Sequence, residues 1–210
     1  MILCVVTDRR RLGGSLDALV EQARAAAAAP IDLLHLRERD LEAAALVALA
    51  ARILQAARGS RMRVVINDRV DVALACGADG VHLRGDSMPT AAARALAPPP
   101  IVLGRSIHTI QDASAAGDVD YLVAGSVFPS ASKPGADRWL GADGLRAIVK
   151  AARAPVLAIG GVTLEKVADL AAAGAAGVAA IGLFSTIDAT AMHRIACEVR
   201  SRFDSVKTAS

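Results

Sequence analysis

The chain has 210 residues, of which 54% are apolar and 21% charged, and its formal net charge is +3. This length suits one domain, or a small two-domain protein, with a sizeable core, and a high apolar fraction with a low net charge excludes a disordered chain. Only 2% of the residues are aromatic. We therefore expect a core of alanine and branched aliphatic side chains, built from many closely packed elements.

The mean hydropathy of +0.42 raises the question of a membrane segment. The longest uncharged stretch, residues 170–187, is interrupted by three glycines and divides into alanine-rich and Val/Ile-rich parts, so we predict no membrane span. A short β-like run followed by charged residues opens the sequence, which differs from a signal peptide. The three cysteines are far apart and support neither a disulfide framework nor a zinc site. We expect a cytoplasmic protein.

The sequence pI of about 9.0 is mildly basic. Basic residues are mixed with acidic ones along the chain, and few aromatic side chains are present to stack on bases. This pattern favours an anionic small molecule, and not nucleic acid, as the binding partner.

Short runs rich in Val, Ile and Leu recur along the chain, each followed by polar or glycine-containing residues. They predict eight strands, at residues 2–7, 31–36, 64–67, 80–83, 101–104, 121–124, 156–159 and 178–181. Helical patterns lie between them, among others at residues 15–29, 41–58, 89–96, 143–152, 164–173 and 189–203. Ser15 and Thr163 are predicted N-caps, and Gly174 and Gly177 are predicted helix stops.

Strands that alternate with helices about every 25 residues indicate parallel strands joined by crossover helices. Eight such units predict a single-domain (β/α)8 barrel, also called a TIM barrel, over residues 1–210. An open doubly wound sheet is the alternative, which the count of eight disfavours.

The site of such a barrel forms from the loops that follow the carboxyl ends of the strands. Residues at these positions are mainly cations and hydrogen-bond donors: Thr7, Asp8, His35, Arg37, Glu38, Arg39, Asn67, Asp68, Arg69, Arg84, Asp86, Ser87, Arg105, Ser106, His108, Ser130, Ser132, Lys133, Gly160, Gly161 and Gly182. The predicted rim is therefore suited to an anionic ligand.

Two groups of rim residues suggest phosphate binding. Gly160 and Gly161 follow the seventh strand and Gly182 follows the eighth, where barrels often bind phosphate through backbone N–H groups; the alternative is that these glycines only form tight turns. Ser130, Ser132 and Lys133 lie on a long loop after the sixth strand. They are suited to close over a phosphate, although the same composition is found in solvated loops.

Two histidines, His35 and His108, are predicted at strand ends, whereas His82 lies within a strand and His193 on the last helix. We assign structural roles to the latter two. A histidine at the rim, such as His108, is suited to move a proton near neutral pH. Asp68 and Asp86 are candidate acids, magnesium ligands or partners of rim arginines, and for Asp86 a solvated loop position is favoured.

Several segments, in order along nearly the whole chain, resemble the thiamine-phosphate synthases and their relatives, the TenI-type thiazole tautomerases. The matching segments are Ile66-Asn67-Asp68-Arg69-Val70-Asp71, Gly77-Ala78-Asp79-Gly80-Val81-His82-Leu83, Asp120-Tyr121, Phe128-Pro129-Ser130-Ala131-Ser132-Lys133-Pro134, Ala158-Ile159-Gly160-Gly161-Val162-Thr163 and Ala175-Ala176-Gly177-Val178-Ala179. The resemblance implies a (β/α)8 barrel, in agreement with the strand count.

The resemblance leaves two activities. The synthase joins a pyrimidine diphosphate to a thiazole phosphate and expels diphosphate with Mg²⁺; the tautomerase shifts a proton to aromatise a thiazole phosphate carboxylate and needs no metal. Both use a small phosphorylated thiazole. For that substrate the resemblance implies the same binding residues in either case: Ser130, Ser132, Lys133, Gly161, Ile181 and Gly182.

The chain departs from the synthase pattern after the second and fourth strands. The synthase pattern after the second strand is Gln-Leu-Arg-Glu-Lys, whereas this chain has His35-Leu36-Arg37-Glu38-Arg39. Asp68 keeps one magnesium-ligand position of the synthases, but Ser87 stands at the other, beside Asp86. Loss of a carboxylate weakens a metal site. The segments 35–39 and 104–108 resemble the TenI branch.

We therefore predict first a TenI-type tautomerase without a cofactor, in which His108 moves the proton and His35 lines the ring site. The alternative is a synthase with Mg²⁺, in which Asp68, Arg37, Asn67, Ser106 and Lys133 act on the diphosphate. The third hypothesis is a non-catalytic protein that binds a thiazole phosphate. Relatives often form dimers, which leaves a homo-oligomer open.

Overall fold

The structure is a computed structural model that describes residues 1–129 and 139–207. Within these ranges, eight parallel strands follow one another around a closed barrel, and the last pairs with the first. The strands are β1 (Ile2–Val6), β2 (Leu33–Leu36), β3 (Arg63–Asn67), β4 (Gly80–Leu83), β5 (Val102–Ile107), β6 (Tyr121–Gly125), β7 (Val156–Ile159) and β8 (Gly177–Ala180). The predicted (β/α)8 barrel is confirmed.

Helices cover the outside of the barrel. They are α1 (Leu16–Ala27), α2 (Ala43–Ala57), α3 (Val70–Cys76), α4 (Thr90–Leu96), α5 (Ile110–Ala115), α6 (Gly141–Ala151), α7 (Val167–Ala172) and α8 (Ala189–Lys207). Three 3₁₀ turns, Arg9–Leu12, Leu164–Lys166 and Gly182–Phe184, lie in the loops after β1, β7 and β8. Within the described residues, no helix is long and apolar enough to cross a membrane.

Local signals predicted some helix ends correctly. Ser15 is the N-cap of α1, and its hydroxyl accepts hydrogen bonds from the backbone N–H groups of residues 17 and 18. The prediction that Gly177 stops a helix is wrong, because Gly177 is the first residue of β8. A Cβ atom there would lie 1.8 Å from the carbonyl oxygen of Ile2, so the close approach of β1 to β8 requires glycine.

The core has two layers. The larger lies between the strands and the helices, and it is built mainly of Ala, Val, Leu and Ile. The smaller fills the barrel itself and consists of Cys4, Val6, Leu33, Val65, Val102, Tyr121, Val123, Leu157 and Ala179. Tyr121 is the one aromatic residue of this inner layer. Because a narrow eight-stranded barrel is filled by branched aliphatic side chains, the low aromatic content follows from the fold.

Aspartates fasten alternate strands at the amino-terminal end of the barrel, opposite the rim. Each lies just before a strand and accepts a hydrogen bond from a backbone N–H group of the preceding strand. The three bonds join Leu3 N to Asp32 (2.8 Å), Val64 N to Asp79 (2.7 Å) and Leu103 N to Asp120 (2.7 Å). This face is therefore organised for stability, and the candidate site lies at the other end.

Candidate active site

A buried carboxylate organises the rim beside β1 and β2. Glu38 accepts hydrogen bonds from the hydroxyl of Thr7 at 2.9 Å and from the guanidinium of Arg9 at 2.9 Å. The same Thr7 oxygen accepts the backbone N–H of Arg37 at 2.9 Å. These bonds hold the backbone N–H of Arg37 and the side chain of its neighbour Glu38. The backbone at Arg37 is therefore fixed at the mouth of the barrel.

Two arginines of this segment form a cationic patch. Arg37 is half-buried, and Arg39 is exposed. Burial and then the neighbouring charge of Arg39 lower the pKa of Arg37. Neither guanidinium has a carboxylate partner within the described residues, in contrast to Arg9, which binds Glu38 and Asp40. Arg37 and Arg39 are therefore available to an anionic ligand.

Asp68 is held over the barrel mouth by its backbone. It is the one described residue other than glycine with a positive φ, at 60°, and such a conformation in a non-glycine residue often marks a functional site. Its N–H donates to the carbonyl of His82 at 2.9 Å, and one carboxylate oxygen accepts the backbone N–H of Arg84 at 3.3 Å.

The guanidinium of Arg84 links two rim carboxylates. It lies 3.7 Å from Asp68 and also binds Asp86. Arg105 fastens the same loop, since its guanidinium donates to the carbonyls of Gly85 at 3.0 Å and Met88 at 2.9 Å. Asp86 is thus a partner of a rim arginine and not only a solvated loop acid.

The donor set at this point fits Mg²⁺ only together with a ligand. Within the described ranges, no group of three or more His, Cys, Asp or Glu side chains is placed to hold a metal ion. Asp68 and Asp86, which both pair with Arg84, are the carboxylates that could hold Mg²⁺ here, since Mg²⁺ takes one or two carboxylates from a protein when substrate phosphates provide other oxygens. Ser87, half-buried beside Asp86, adds a hydroxyl and no charge.

Two histidines face each other inside the upper barrel. The rings of His35 and His82 are 4.5 Å apart between centroids, and both side chains are buried. Burial lowers the pKa of His82 to about 3, and burial together with the nearby His82 and Arg37 charges lowers the pKa of His35 well below its ordinary value. Both rings are therefore neutral near pH 7. The Nε2 atom of His35 lies 3.2 Å from the Asn67 amide oxygen, which can only accept, so His35 donates from Nε2 and Nδ1 is left as an acceptor.

His108 lies at the end of β5, as predicted for a rim histidine. Its Nδ1 contacts the carbonyl of Gly125, which can only accept a hydrogen bond, so Nδ1 carries the proton. In the neutral ring Nε2 is then the acceptor. A Cβ atom on Gly85 would lie 3.8 Å from this Nε2, which places the basic nitrogen beside the loop after β4.

The loops after β6 and β7 are packed directly on each other. The N–H groups of Val127 and Phe128 donate to the carbonyls of Ile159 at 2.8 Å and Gly160 at 3.1 Å. Gly160 and Gly161 have φ values of 98° and 62°. A Cβ on Gly161 would lie 2.4 Å from the carbonyl oxygen of Pro129, so only glycine allows this approach.

The remaining predicted phosphate residues have different outcomes. Ile181 follows β8 and Gly182 begins the 3₁₀ turn behind it. An atom built as Cβ on Gly182 would lie 3.5 Å from the guanidinium of Arg11, a cation that the sequence analysis did not assign to the site. Ser130, Ser132 and Lys133 lie outside the described residues.

His82 is in contact with the candidate site, which its sequence position alone does not indicate. The sequence predicts a structural role for this residue within a strand; the structure places its Nε2 2.9 Å from the hydroxyl of Ser106, a predicted ligand-binding residue. Strand alternation was the available signal: neighbouring side chains on a strand point to opposite faces. Val81 and Leu83, on either side of His82, pack in the outer layer of the core, so His82 points into the barrel.

A rim of arginines, histidines and backbone donors at the carboxyl end of a (β/α)8 barrel is the type of site at which barrel enzymes bind phosphorylated substrates. Comparison with known proteins defines the family. The family model described as thiamine monophosphate synthase matches residues 3–184. The chain belongs to the thiamine-phosphate synthase/TenI family, which agrees with the resemblance found in the sequence.

Individual relatives extend the match over almost the full length. The chain is 36% identical over 204 residues to a thiamine-phosphate synthase of Roseiflexus castenholzii, covering 96% of this chain and 89% of that protein. It is 41% identical over 182 residues to a putative thiamine-phosphate synthase of Geobacter sulfurreducens, with coverages of 85% and 84%. Among solved structures, thiamine phosphate pyrophosphorylase from Pyrococcus furiosus superposes with a TM-score of 0.81 and 31% identity, covering 98% and 96% of the two chains. These relatives favour the synthase, which the sequence analysis ranked second.

Proposed function

We propose that the chain is a thiamine-phosphate synthase, which joins a hydroxymethylpyrimidine diphosphate to a thiazole phosphate. The observation that carries the proposal is the patch of Arg37 and Arg39, neither of which has an acidic partner in the described structure, beside Asp68. Cations without internal partners suit a ligand with several negative charges, as a diphosphate has. The synthase names of relatives over nearly the whole chain support the same choice.

In the proposed reaction, the bond between the pyrimidine methylene carbon and the diphosphate oxygen breaks, and the thiazole nitrogen forms a new bond to that carbon. Arg37 and Arg39 bind the diphosphate and stabilise the charge that remains on it as it leaves. Ser106, deeper in the same mouth, donates a hydrogen bond to it. Asp68 and Asp86 would hold Mg²⁺, which neutralises further phosphate charge when bound.

The thiazole phosphate is proposed to bind at the neighbouring loops after β6, β7 and β8. Gly160 and Gly161 lack the Cβ atoms that would collide with Ser126 and Pro129, so the loops after β6 and β7 lie against each other, and Gly182 lies beside the Arg11 guanidinium. Ser130, Ser132 and Lys133 complete this site in the proposal, on the strength of the family resemblance. The thiazole nitrogen would then face the leaving group across the mouth of the barrel.

The direct test incubates the purified protein with both substrates and Mg²⁺ and measures thiamine phosphate. We expect product with Mg²⁺, and a loss of turnover with EDTA. Absence of product from both substrates with Mg²⁺, under conditions in which a known synthase is active, would overturn the proposal.

A TenI-type tautomerase is the second candidate, and His108 is the observation that favours it. With Nδ1 held by the Gly125 carbonyl, Nε2 of the neutral ring is a base at the rim, as a proton shift requires. His35 and Ser87, at positions that differ from the synthase pattern, point the same way. Aromatisation of the thiazole phosphate carboxylate in EDTA, together with loss of that activity in His108→Asn, would establish this function. Thiazole phosphate binding without turnover in either assay would leave the non-catalytic hypothesis.

A further inference from the structure

A chain of three polar side chains crosses the interior of the barrel from β6 to β5. The Tyr121 hydroxyl lies 3.0 Å from Nδ1 of His82, and Nε2 of His82 lies 2.9 Å from the Ser106 hydroxyl. The strand register brings them together, since Gly104 pairs with both His82 and Tyr121. Tyr121 and His82 are buried, whereas Ser106 is half-buried at the mouth.

The surroundings of Tyr121 fix the direction of its hydrogen bond. The rest of the inner layer consists of aliphatic side chains and Cys4, and within the described residues the hydroxyl has His82 as its hydrogen-bond partner. A buried hydroxyl that fails to donate loses its bond to water without replacement. Burial also raises the pKa of Tyr121 well above its ordinary value, so the proton stays on the phenol and is donated to Nδ1 of His82.

The state of His82 then follows. Since Nδ1 accepts from Tyr121, a neutral ring carries its proton on Nε2. That N–H donates to the oxygen of Ser106, and the Ser106 hydroxyl cannot donate back to the same nitrogen. The serine proton is therefore directed to another acceptor at the mouth of the barrel.

We propose that Tyr121 and His82 are positioning residues that fix Ser106 as a hydrogen-bond donor to the anionic group bound at the rim. The inference deepens the proposed function, on which its kinetic part rests. In the opposite orientation, Ser106 would donate to His82, and its oxygen would present only lone pairs to the anion. The hydrogen bonds from Tyr121 to His82 and from His82 to Ser106, here called the relay, therefore select the orientation in which the Ser106 hydroxyl donates to a leaving diphosphate.

Gly104 leaves the space that the Tyr121 ring needs to contact His82. A Cβ atom at residue 104 would lie 2.2 Å from Cζ and 2.5 Å from the hydroxyl oxygen of Tyr121. The tyrosine ring therefore occupies the space that a side chain on β5 would fill. Glycine at this position allows the hydroxyl to reach His82.

The first test measures the His82 tautomer by ¹⁵N NMR of histidine-labelled protein without substrate, so it is independent of the proposed function. The resonances are assigned by their loss in His82→Gln. We expect an unprotonated Nδ1 and a protonated Nε2 in the wild type, and a mixture of tautomers in Tyr121→Phe. Val123→Ala, another truncation in the inner layer, should keep the wild-type tautomer. A protonated Nδ1 in the wild type would overturn the proposal.

The second test is a double-mutant cycle on thiamine phosphate formation. We expect Tyr121→Phe to lower kcat by about 3- to 30-fold in the wild-type background and to have no further effect in Ser106→Ala, because residues that act through one group are not additive. Val123→Ala should lower the activities of both backgrounds equally. If Tyr121→Phe lowers kcat by the same factor in the wild-type and Ser106→Ala backgrounds, Tyr121 has only a structural role. If the wild type forms no product, the proposed function is wrong, and the NMR measurement of the His82 tautomer still tests the relay.

Discussion

Asp68 and Arg84 form an ion pair of 3.7 Å at the mouth of the barrel, and the same guanidinium also binds Asp86. Asp68 has a positive φ, and the ion pair holds its carboxylate at the point where diphosphate is proposed to bind. We expect Asp68→Asn to lower synthase activity by at least about 10²-fold, the effect typical of a lost charge-stabilising group. Mn²⁺ binding in the presence of inorganic diphosphate, measured by electron paramagnetic resonance, should weaken in parallel.

Asp71→Asn is the matched control for the aspartate substitution. Asp71 is also paired with an arginine, Arg69, at 2.6 Å, but it is exposed on α3. It should retain wild-type activity and Mn²⁺ binding. An Asp68→Asn enzyme that keeps full Mg²⁺-dependent activity would show that the metal is held elsewhere.

Removal of the Arg37 charge should weaken the interaction with diphosphate most strongly. Arg37→Gln is expected to lower kcat/KM for the pyrimidine diphosphate by about 10²-fold, because the guanidinium is half-buried and meets the anion away from bulk water. Arg10→Gln removes an arginine of the same rim whose side chain is 76% exposed and paired with Asp40. Steady-state kinetics should show little change in that control, and equal losses in the two variants would contradict the assignment.

The fold could be predicted from the sequence because each strand and helix has a local pattern. The barrel fixes which loops form the mouth, so Arg37, Asn67, Asp68 and Ser106 could be chosen as rim residues by position alone. Contacts between strands have no such local signal. Tyr121 is 39 residues from His82 and Ser106 is 24, and their contacts depend on the register of β4, β5 and β6. The shared use of Arg84 by Asp68 and Asp86 likewise depends on how one loop turns.

The backbone conformation of Gly161 should be required for phosphate binding. In Gly161→Ala the new Cβ atom would lie 2.4 Å from the carbonyl oxygen of Pro129. Because this distance is too short, the loop after β6 must move away from the loop after β7. We expect the KM for thiazole phosphate to rise by about 10-fold or more, since a small displacement of binding groups is costly. Gly59→Ala has a similar φ of 81° but open space around it, so it should lose stability without a change in KM. A similar KM in both variants would argue against a phosphate site here.

The aspartates at the amino-terminal face should stabilise the barrel without affecting catalysis. Asp79→Ala leaves the buried N–H of Val64 without its 2.7 Å acceptor, and we expect a loss of about 1–3 kcal/mol in the free energy of unfolding. Asp79→Asn retains an acceptor oxygen and should lose less. Urea denaturation measures the difference. An alanine variant as stable as the wild type would show that water replaces the carboxylate.

The two buried histidines should make the protein less stable as the pH falls. In the folded protein burial lowers the pKa of His82 to about 3, and His35 also has a pKa well below its ordinary value, while unfolding returns both to about 6.5. Below pH 6.5 the unfolded chain therefore binds up to two more protons than the folded chain, and the free energy of unfolding decreases by about 1.4 kcal/mol per pH unit for each histidine. His82→Gln removes one of these contributions, so its stability should fall less steeply between pH 7 and pH 5, whatever its absolute stability. Urea denaturation at each pH measures the slope. An unchanged slope in His82→Gln would mean that His82 is protonated in the folded barrel and that the relay to Ser106 is absent at low pH.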